Sequence, residues 1–236
     1  MPGPRHPLAA PVVNAVVLRV DGCLQTLLWR RPEGTWSLPG GFVREGESLE
    51  DATRRHLAEK VGVTGVEHLE QLDTTASAGT HPELWVLDTA YLALVPQGSE
   101  PALPPDTAWH PVAELPAIAF GHDGAVHRAH DRLRGKLSYS NIAFALAPER
   151  FTLRELAALY EAVLGYAVSP TNLGRVLGRD GLLVATGEHR AAGSAGGRPA
   201  TEFAFARREL VVSRPLAAFR PPARGAGTGP APAPSA

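Results

Sequence analysis

The chain has 236 residues, 44% of them hydrophobic and 20% charged, so it is long enough for two domains with a sizeable buried core. Its charges nearly cancel, but residues 1–145 hold 12 basic and 17 acidic residues and residues 146–236 hold 11 and 7, so the C-terminal part is basic. One cysteine excludes a disulfide scaffold and a thiolate zinc site. Without a long apolar run there is no sign of a signal peptide or membrane span, and we expect a soluble cytoplasmic protein without a membrane partner.

The N-terminal part is dominated by strand-like segments with one early helix. Ser48 is a cap residue ahead of an acidic first turn, and it predicts a helix that runs through Lys60 without glycine or proline. Runs of apolar, β-favouring residues separated by turn-forming clusters predict strands at 12–20, 24–29, 37–43, 69–73 and 85–95.

A glycine, a glutamate and an arginine surround the start of this helix at a diagnostic spacing. Five residues separate Gly41 from Glu47, and seven more separate Glu47 from Arg55. This pattern resembles the Nudix box and predicts a Nudix fold. A salt bridge between Glu47 and Arg55, which would hold the loop against the helix, is the favoured role for these two residues.

The helix that follows lacks most of the carboxylates that the box requires. Three carboxylates at positions i, i+3 and i+4 share one helix face and would hold divalent cations against a pyrophosphate. Here these positions are His56, Glu59 and Lys60, and a lysine repels a cation, so hydrolysis should be badly impaired. Glu59 is either a residual metal ligand or a partner of Arg55, and we interpret His56 as a surface or supporting residue.

A second predicted helix, around 125–133, carries a basic row. Arg128 and Arg132 lie one helical turn apart, and Lys136 continues the row if the helix persists. Such a row either caps the helix C-terminus or contacts a phosphate backbone. We favour backbone contacts for Arg134 and Lys136.

From Thr152 the order becomes helix, turn, helix, strand, glycine-rich loop and strand, which is typical of a winged helix-turn-helix. Thr152 caps the first helix and Gly165 ends it, whereas Ser169 and Pro170 begin a second helix that runs through Arg179. The two short strands are predicted at 182–185 and 202–206.

The second helix of this unit has a basic face, on which Asn172, Arg175 and Arg179 lie at i, i+3 and i+7. Arginine suits guanine, asparagine suits adenine, and a hydroxyl such as that of Thr171 suits a phosphate. Together with arginines in the wing and the basic charge, this face favours DNA recognition over an ordinary solvated surface. The predicted DNA contacts are Arg134, Lys136, Thr171, Asn172, Arg175, Arg179, Arg190 and Arg198.

The chain from Val12 to Phe205 is similar to the Nudix-related transcriptional regulators of NAD metabolism, the NrtR-type repressors. This resemblance implies an α+β protein with an N-terminal Nudix-like α/β/α sandwich around a mixed sheet and a C-terminal winged helix-turn-helix. It also implies a homodimer on a palindromic double-stranded DNA operator and ADP-ribose as effector. Because His56 and Lys60 stand in place of carboxylates, we expect no required cofactor and no metal site. The segments that carry the resemblance are 36–43, 132–139, 142–148, 151–156, 160–165 and 197–200.

The resemblance divides the chain into an effector-binding and dimerisation domain, 12–136, and a DNA-binding domain, 137–214. The ends, 1–11 and 215–236, are rich in proline, glycine and alanine and are predicted to be flexible tails. His122 lies in a segment that departs from the Phe-Asp-His of the family. The predicted effector-binding residues are Gly40, Gly41, Arg55, Glu59 and His122.

The sequence leaves three functions open. The leading hypothesis is a nucleoid-associated repressor without catalytic residues that senses ADP-ribose or a related nucleotide. The alternative is a Mg²⁺-dependent ADP-ribose pyrophosphatase that uses Glu47 and Glu59. A third possibility is a scaffold whose Nudix-like domain only dimerises.

Overall fold

The structure is a computed structural model that describes residues 9–78, 85–99, 101–191 and 199–212. No helix in these ranges is long and apolar enough to cross a membrane. The helices and strands are β1 (Ala9–Asp21), β2 (Cys23–Arg30), β3 (Trp36–Ser37), β4 (Gly40–Phe42), α1 (Leu49–Val61), β5 (His68–Ala78), β6 (Trp85–Leu94), β7 (Thr107–Pro111), α2 (Asp123–Leu137), β8 (Phe151–Thr152), α3 (Leu153–Leu164), α4 (Pro170–Arg179), β9 (Leu183–Arg190) and β10 (Ala200–Phe205).

The larger sheet is mixed and is covered by helices on both faces, which confirms the predicted sandwich. Its order is β3-β2-β1-β6-β5, with β4 paired to β1 and β7 paired to β2. Only the pair of β1 with β6 is parallel among the described strands. The central strand β1 is apolar on both faces because Val17 packs toward α1 whereas Val16 and Leu18 pack toward α2 and α3.

Three features of this sheet differ from the predictions. The predicted tail 1–11 is wrong for residues 9–11, which belong to β1 because they pair with the start of β6. The strand predicted at 37–43 is two short strands, β3 and β4, which pair with different neighbours on either side of Pro39. Strand β7 was not predicted, since five residues that end in a proline give little periodic signal.

The C-terminal unit has the predicted order of a winged helix-turn-helix. Its small sheet has the order β8-β10-β9, and both wing strands run further into the wing than predicted, to Arg190 and from Ala200. One continuous apolar core joins this unit to the larger sheet, with Leu133 of α2 and Leu156 of α3 among its members. The domain boundary at 136/137 falls one residue before the end of α2 and stays a prediction; the tail 215–236 lies outside the described residues.

The helix ends follow the capping residues of the sequence. The Ser48 side chain accepts from the backbone N–H of Asp51, and Thr152 forms a capping box with Glu155. α1 ends at Gly62 and α3 at Gly165, and both glycines have the left-handed backbone conformation. These local hydrogen bonds fix where each helix begins and ends.

Replacing these two glycines by alanine should separate backbone strain from crowding. Gly165→Ala should lower the free energy of unfolding by about 1 to 2 kcal/mol, the cost of a side chain in the left-handed region. Gly62→Ala should cost about 1 to 3 kcal/mol more, because its Cβ would lie 2.5 Å from the backbone oxygen of Ala102, whereas a Cβ at Gly165 meets nothing within 4 Å. Urea denaturation measures both values, and equal losses would contradict the close approach.

Candidate functional site

The spacing of the box residues brings Glu47 and Arg55 together as an ion pair. Arg55 holds Glu47 through two hydrogen bonds, Nε to Oε1 and Nη2 to Oε2, each 2.7 Å long. The hydrogen bond from Arg55, followed by one from the backbone N–H of Arg44, lowers the pKa of Glu47 to about 2. Glu59 lies 3.6 Å from both Arg44 and Arg55. Both acids of the box therefore face arginines.

The two residues that replace carboxylates bind the backbone of β4. His56 is only 8% exposed, so of the two predicted roles the structure favours the supporting one, and its Nε2 lies 3.1 Å from the oxygen of Phe42. Burial lowers the pKa of His56 below its ordinary value. The imidazole lies so close to Gly41 that a Cβ there would be 2.6 Å from His56 Cε1.

Lys60 also reaches β4, but its ammonium group lies at the wall of a cleft. Its Nζ donates to the oxygen of Gly40 at 2.6 Å and lies 4.7 Å from the centre of the Trp29 ring. Burial, followed by the nearby charge of Arg31, lowers the pKa of Lys60.

The cleft has a volume of about 700 Å³ and lies between the strands β1, β4 and β6 and the segment that precedes α2. Gly40, Gly41 and His122 line it as predicted for effector contacts, whereas Arg55 and Glu59 do not. The lining residues that were not predicted include Asn14, Phe42, Lys60, Asp73, Asp88, Phe120 and Arg128.

A polar network holds one side of the cleft. Asp88 accepts from Asn14 Nδ2 at 2.7 Å, and its second oxygen lies 3.0 Å from His122 Nε2. Asn14 interrupts the apolar run 12–18 of β1, and Asp88 pairs with Val12, two residues before Asn14, so these polar positions were the signal available in the sequence. Phe120 at the rim is 61% exposed and has a left-handed φ of 62°, which is rare outside glycine and typical of functional loops.

The basic row on α2 is neutralised by carboxylates of β5. Arg128 pairs with Asp73, Arg132 lies 3.2 Å from Glu70, and Lys136 Nζ lies 2.8 Å from Glu70. The Lys136 side chain is only 12% exposed, so its geometry favours a structural ion pair over the predicted phosphate contact. Arg134 is exposed and remains a candidate for DNA contact.

Helix α4 presents the predicted polar face. Leu173, Val176 and Leu177 are buried beneath it, while Thr171, Arg175 and Arg179 are exposed and Asn172 is half-buried. Arg175 Nη2 donates to Asn172 Oδ1 at 2.8 Å, so the two predicted base-reading side chains already contact each other.

The wing arginines differ from the prediction. Arg190 lies at the end of β9, where it pairs with Glu155 and, at 2.8 Å, with Glu202. Two carboxylates therefore neutralise the guanidinium, and this geometry does not favour the predicted DNA contact of Arg190. Arg198 lies outside the described residues.

Comparison with known proteins identifies both parts of the chain. A model of the NUDIX domain matches residues 9–129, and a model of the NrtR DNA-binding winged helix domain matches residues 143–205. Fold and cleft thus define a Nudix domain followed by a DNA-binding winged helix, as the sequence resemblance implied.

Relatives with the same two parts extend along nearly the whole chain. The crystal structure of Shewanella oneidensis NrtR is 34% identical and superposes with a TM-score of 0.73 over 87% of this chain and 98% of that chain. The same protein complexed with a 27mer DNA gives 32% identity and a TM-score of 0.69 over 82% and 92%. The ADPR responsive transcriptional repressor NtrR of Acinetobacter baylyi is 29% identical over 89% of this chain and 87% of its own. The chain belongs to the NrtR family.

Removing the Lys136 ammonium group should lower the free energy of unfolding, and the size of the loss should depend on pH. Burial raises the pKa of Glu70, but hydrogen bonds from His68 and Lys136 outweigh it and lower the pKa from 4.5 to about 2. The stabilisation is therefore complete above about pH 4.5 and is lost as the pH falls towards 2. We expect Lys136→Met to lose about 1.5 to 3 kcal/mol of unfolding free energy at pH 7, and the difference from the unmodified protein to shrink in that acidic range.

The exposed Arg134 supplies the control for this measurement. Arg134→Met should leave the unfolding free energy within about 0.5 kcal/mol of the unmodified protein at every pH. A Lys136→Met variant that is as stable as Arg134→Met at pH 7 would show that the Glu70 pair contributes nothing.

Proposed function

We propose that this protein is a transcriptional repressor of NAD metabolism genes that binds its operator through α4 and responds to ADP-ribose bound in the Nudix cleft. Two relatives support the proposal: the Acinetobacter baylyi protein is named as ADPR responsive, and Shewanella oneidensis NrtR was crystallised with DNA. A protein with this role acts in the cytoplasm, at the nucleoid.

The observation that carries the proposal is that one helix, α2, contacts both the cleft and the DNA-binding unit. Near its start, Ala125 and Arg128 line the cleft. In its middle, His130 Nε2 donates to the backbone oxygen of Val163 in α3 at 2.7 Å. A ligand that displaces α2 therefore acts on α3.

Close packing extends this connection from α3 to α4. A Cβ at Gly174 of α4 would lie 2.5 Å from the Leu153 side chain of α3, so the two helices approach closely at this point. A rigid contact of this kind transmits small displacements rather than absorbing them.

The cleft offers complementary groups for each part of ADP-ribose. Its volume of about 700 Å³ lies within the usual range for small-molecule sites, roughly 300–1,000 Å³. The carboxylates of Asp73 and Asp88 suit ribose hydroxyls, and Lys60 suits the diphosphate. The exposed rings of Phe42 and Phe120 at the wall suit the adenine.

The same site argues against a pyrophosphatase. A divalent cation needs several free oxygen ligands, but Glu47 and Glu59 face arginines, and His56 and Lys60 bind backbone oxygens. No group of three or more potential metal ligands occurs among the described residues. We infer a degenerate Nudix box whose cleft binds its ligand without cleaving it.

Turnover measurements test this degeneracy. Purified protein with Mg²⁺ or Mn²⁺ should release AMP from ADP-ribose at the background rate, because the metal-binding carboxylates are missing. The double variant His56→Glu with Lys60→Glu returns two carboxylates to the helix face and should turn over faster than the unmodified protein. Steady AMP release by the unmodified protein that is abolished by Glu59→Gln would overturn the inference.

A homodimer is proposed because a palindromic operator presents two symmetry-related half-sites. On β6, Trp85 is 49% and Leu87 is 40% exposed; these side chains share one strand face and offer apolar area for a second copy. Light scattering at micromolar concentration should give twice the 25.0 kDa of one chain, and Leu87→Glu should shift the mass towards one chain. A monomer, with and without operator, would contradict the arrangement.

DNA-binding measurements test the function itself. Affinity for the protein's own upstream DNA should exceed that for a scrambled duplex and should change when ADP-ribose is added. Arg175→Ala should cost about 1 to 3 kcal/mol and relax the preference at particular base pairs, because α4 reads base edges. Arg54→Ala removes an exposed arginine from α1 and should change neither property.

Salt dependence separates a second class of contact. Arg134→Ala should weaken binding almost equally for both duplexes and make the salt dependence shallower by about 0.9, if this side chain contacts a phosphate. Affinity and sequence preference that survive Arg175→Ala would show that α4 is not the recognition helix. No response to ADP-ribose would remove the effector from the proposal.

A further inference from the structure

The Nudix box implies a divalent cation held by the side chains of α1 and the loop before it, but the side chains present there do not fit one. Mg²⁺ requires near-octahedral oxygen coordination, usually with one or two carboxylates from the protein. Both oxygens of Glu47 accept from Arg55, and Glu59 lies between two guanidinium groups. A metal would have to displace arginines from both acids.

Lys60 supplies a positive charge at the wall of the same cleft. Its Nζ donates to Gly40, the first residue of β4, and an ammonium group has three hydrogens to donate. No carboxylate of the described residues lies within 4.0 Å of this nitrogen. The ammonium is therefore oriented by the backbone without being neutralised.

The other permanent cations that line the cleft are already paired. Arg31 contacts Glu33, and Arg128 contacts Asp73. Burial, followed by the charge of Arg31, lowers the pKa of Lys60, and an anion placed beside the ammonium group would favour its charged form. Unlike the two arginines, Lys60 has no carboxylate partner among the described residues, so its positive charge can interact with a bound ligand.

We propose that Lys60 replaces the divalent cation of a Nudix box, so that this cleft binds the diphosphate of a nucleotide ligand without metal. The inference rests on the proposed function, since it takes the cleft to be the effector site. Lys60 is a residue of α1 and carries a single positive charge, and unlike a metal ion it has no coordination position for a water molecule. It therefore supports binding of the diphosphate and supplies no metal-activated water for its hydrolysis.

Calorimetric titration with ADP-ribose tests the metal independence. Protein treated with EDTA should bind with a Kd within about twofold of that measured in Mg²⁺. The double variant His56→Glu with Lys60→Glu should bind weakly in EDTA and recover in Mg²⁺, because its carboxylates can hold the ion. Loss of binding by the unmodified protein in EDTA, with recovery in Mg²⁺, would overturn the proposal.

Single variants test the lysine itself. Lys60→Gln keeps a hydrogen-bond donor but removes the charge, and it should weaken ADP-ribose binding at least tenfold in EDTA, with no recovery in Mg²⁺. Lys60→Arg should retain most of the affinity. Arg54→Gln removes one positive charge from the exposed side of the same helix and should leave the Kd unchanged, which controls for net charge.

The outcomes distinguish this inference from the proposed function. Unchanged affinity of Lys60→Gln, with unfolding free energy and operator binding like those of the unmodified protein, would overturn the role of Lys60 and leave the effector intact. If the unmodified protein binds no ADP-ribose in either EDTA or Mg²⁺, both the effector assignment and this inference are wrong. Adenosine, which lacks the diphosphate, should bind the unmodified protein and Lys60→Gln equally.

Discussion

The attachment of α1 to the backbone of β4 is the constraint on which the cleft depends. Arg55 and His56 both contact the oxygen of Phe42, at 3.2 and 3.1 Å, and Lys60 donates to the oxygen of Gly40. The strand lies so close to β1 that a Cβ at Gly40 would be 2.1 Å from the backbone oxygen of the neighbouring strand. One wall of the cleft is thus held from both sides, and two of the side chains that hold it, His56 and Lys60, stand where the Nudix box would otherwise place carboxylates.

This substitution changes the chemistry of the helix while keeping its architecture. Carboxylates at these positions would need cations to offset their mutual repulsion, whereas a buried neutral imidazole and an ammonium group are satisfied by carbonyl oxygens. The bidentate pair of Glu47 with Arg55 remains, because its task is to fix the loop against the helix. The loop, α1 and β4 are therefore held together by protein contacts, which is consistent with the proposed use of the domain, the recognition of a ligand.

The continuous core between the two domains gives such a domain a way to act on DNA binding. α2 lines the cleft near its first turns and packs against α3 further along, and three of its basic side chains pair with carboxylates of β5. Under the proposed function, a displacement at Arg128 and Asp73 would reach the winged helix through these packed contacts. The basic face of α4 lies beyond that contact and is exposed.

The sequence alone determined the features that depend on near neighbours: the capped ends of α1, α3 and α4, the spacing of the box, and the division of α4 into apolar and polar faces. The tertiary structure decided the features that depend on residues far apart in the chain. From the sequence, Lys136 and Arg190 were predicted to contact DNA. In the structure, β5 places Glu70 beside Lys136, and the small sheet places Glu202 beside Arg190. The sequence left His56 as a surface or a supporting residue, and the structure decided between them because β4 covers its side chain. Helical periodicity tells which side chains share a face, but strand pairing and packing determine which charges are neutralised, because those contacts join segments whose separation carries no periodic signal.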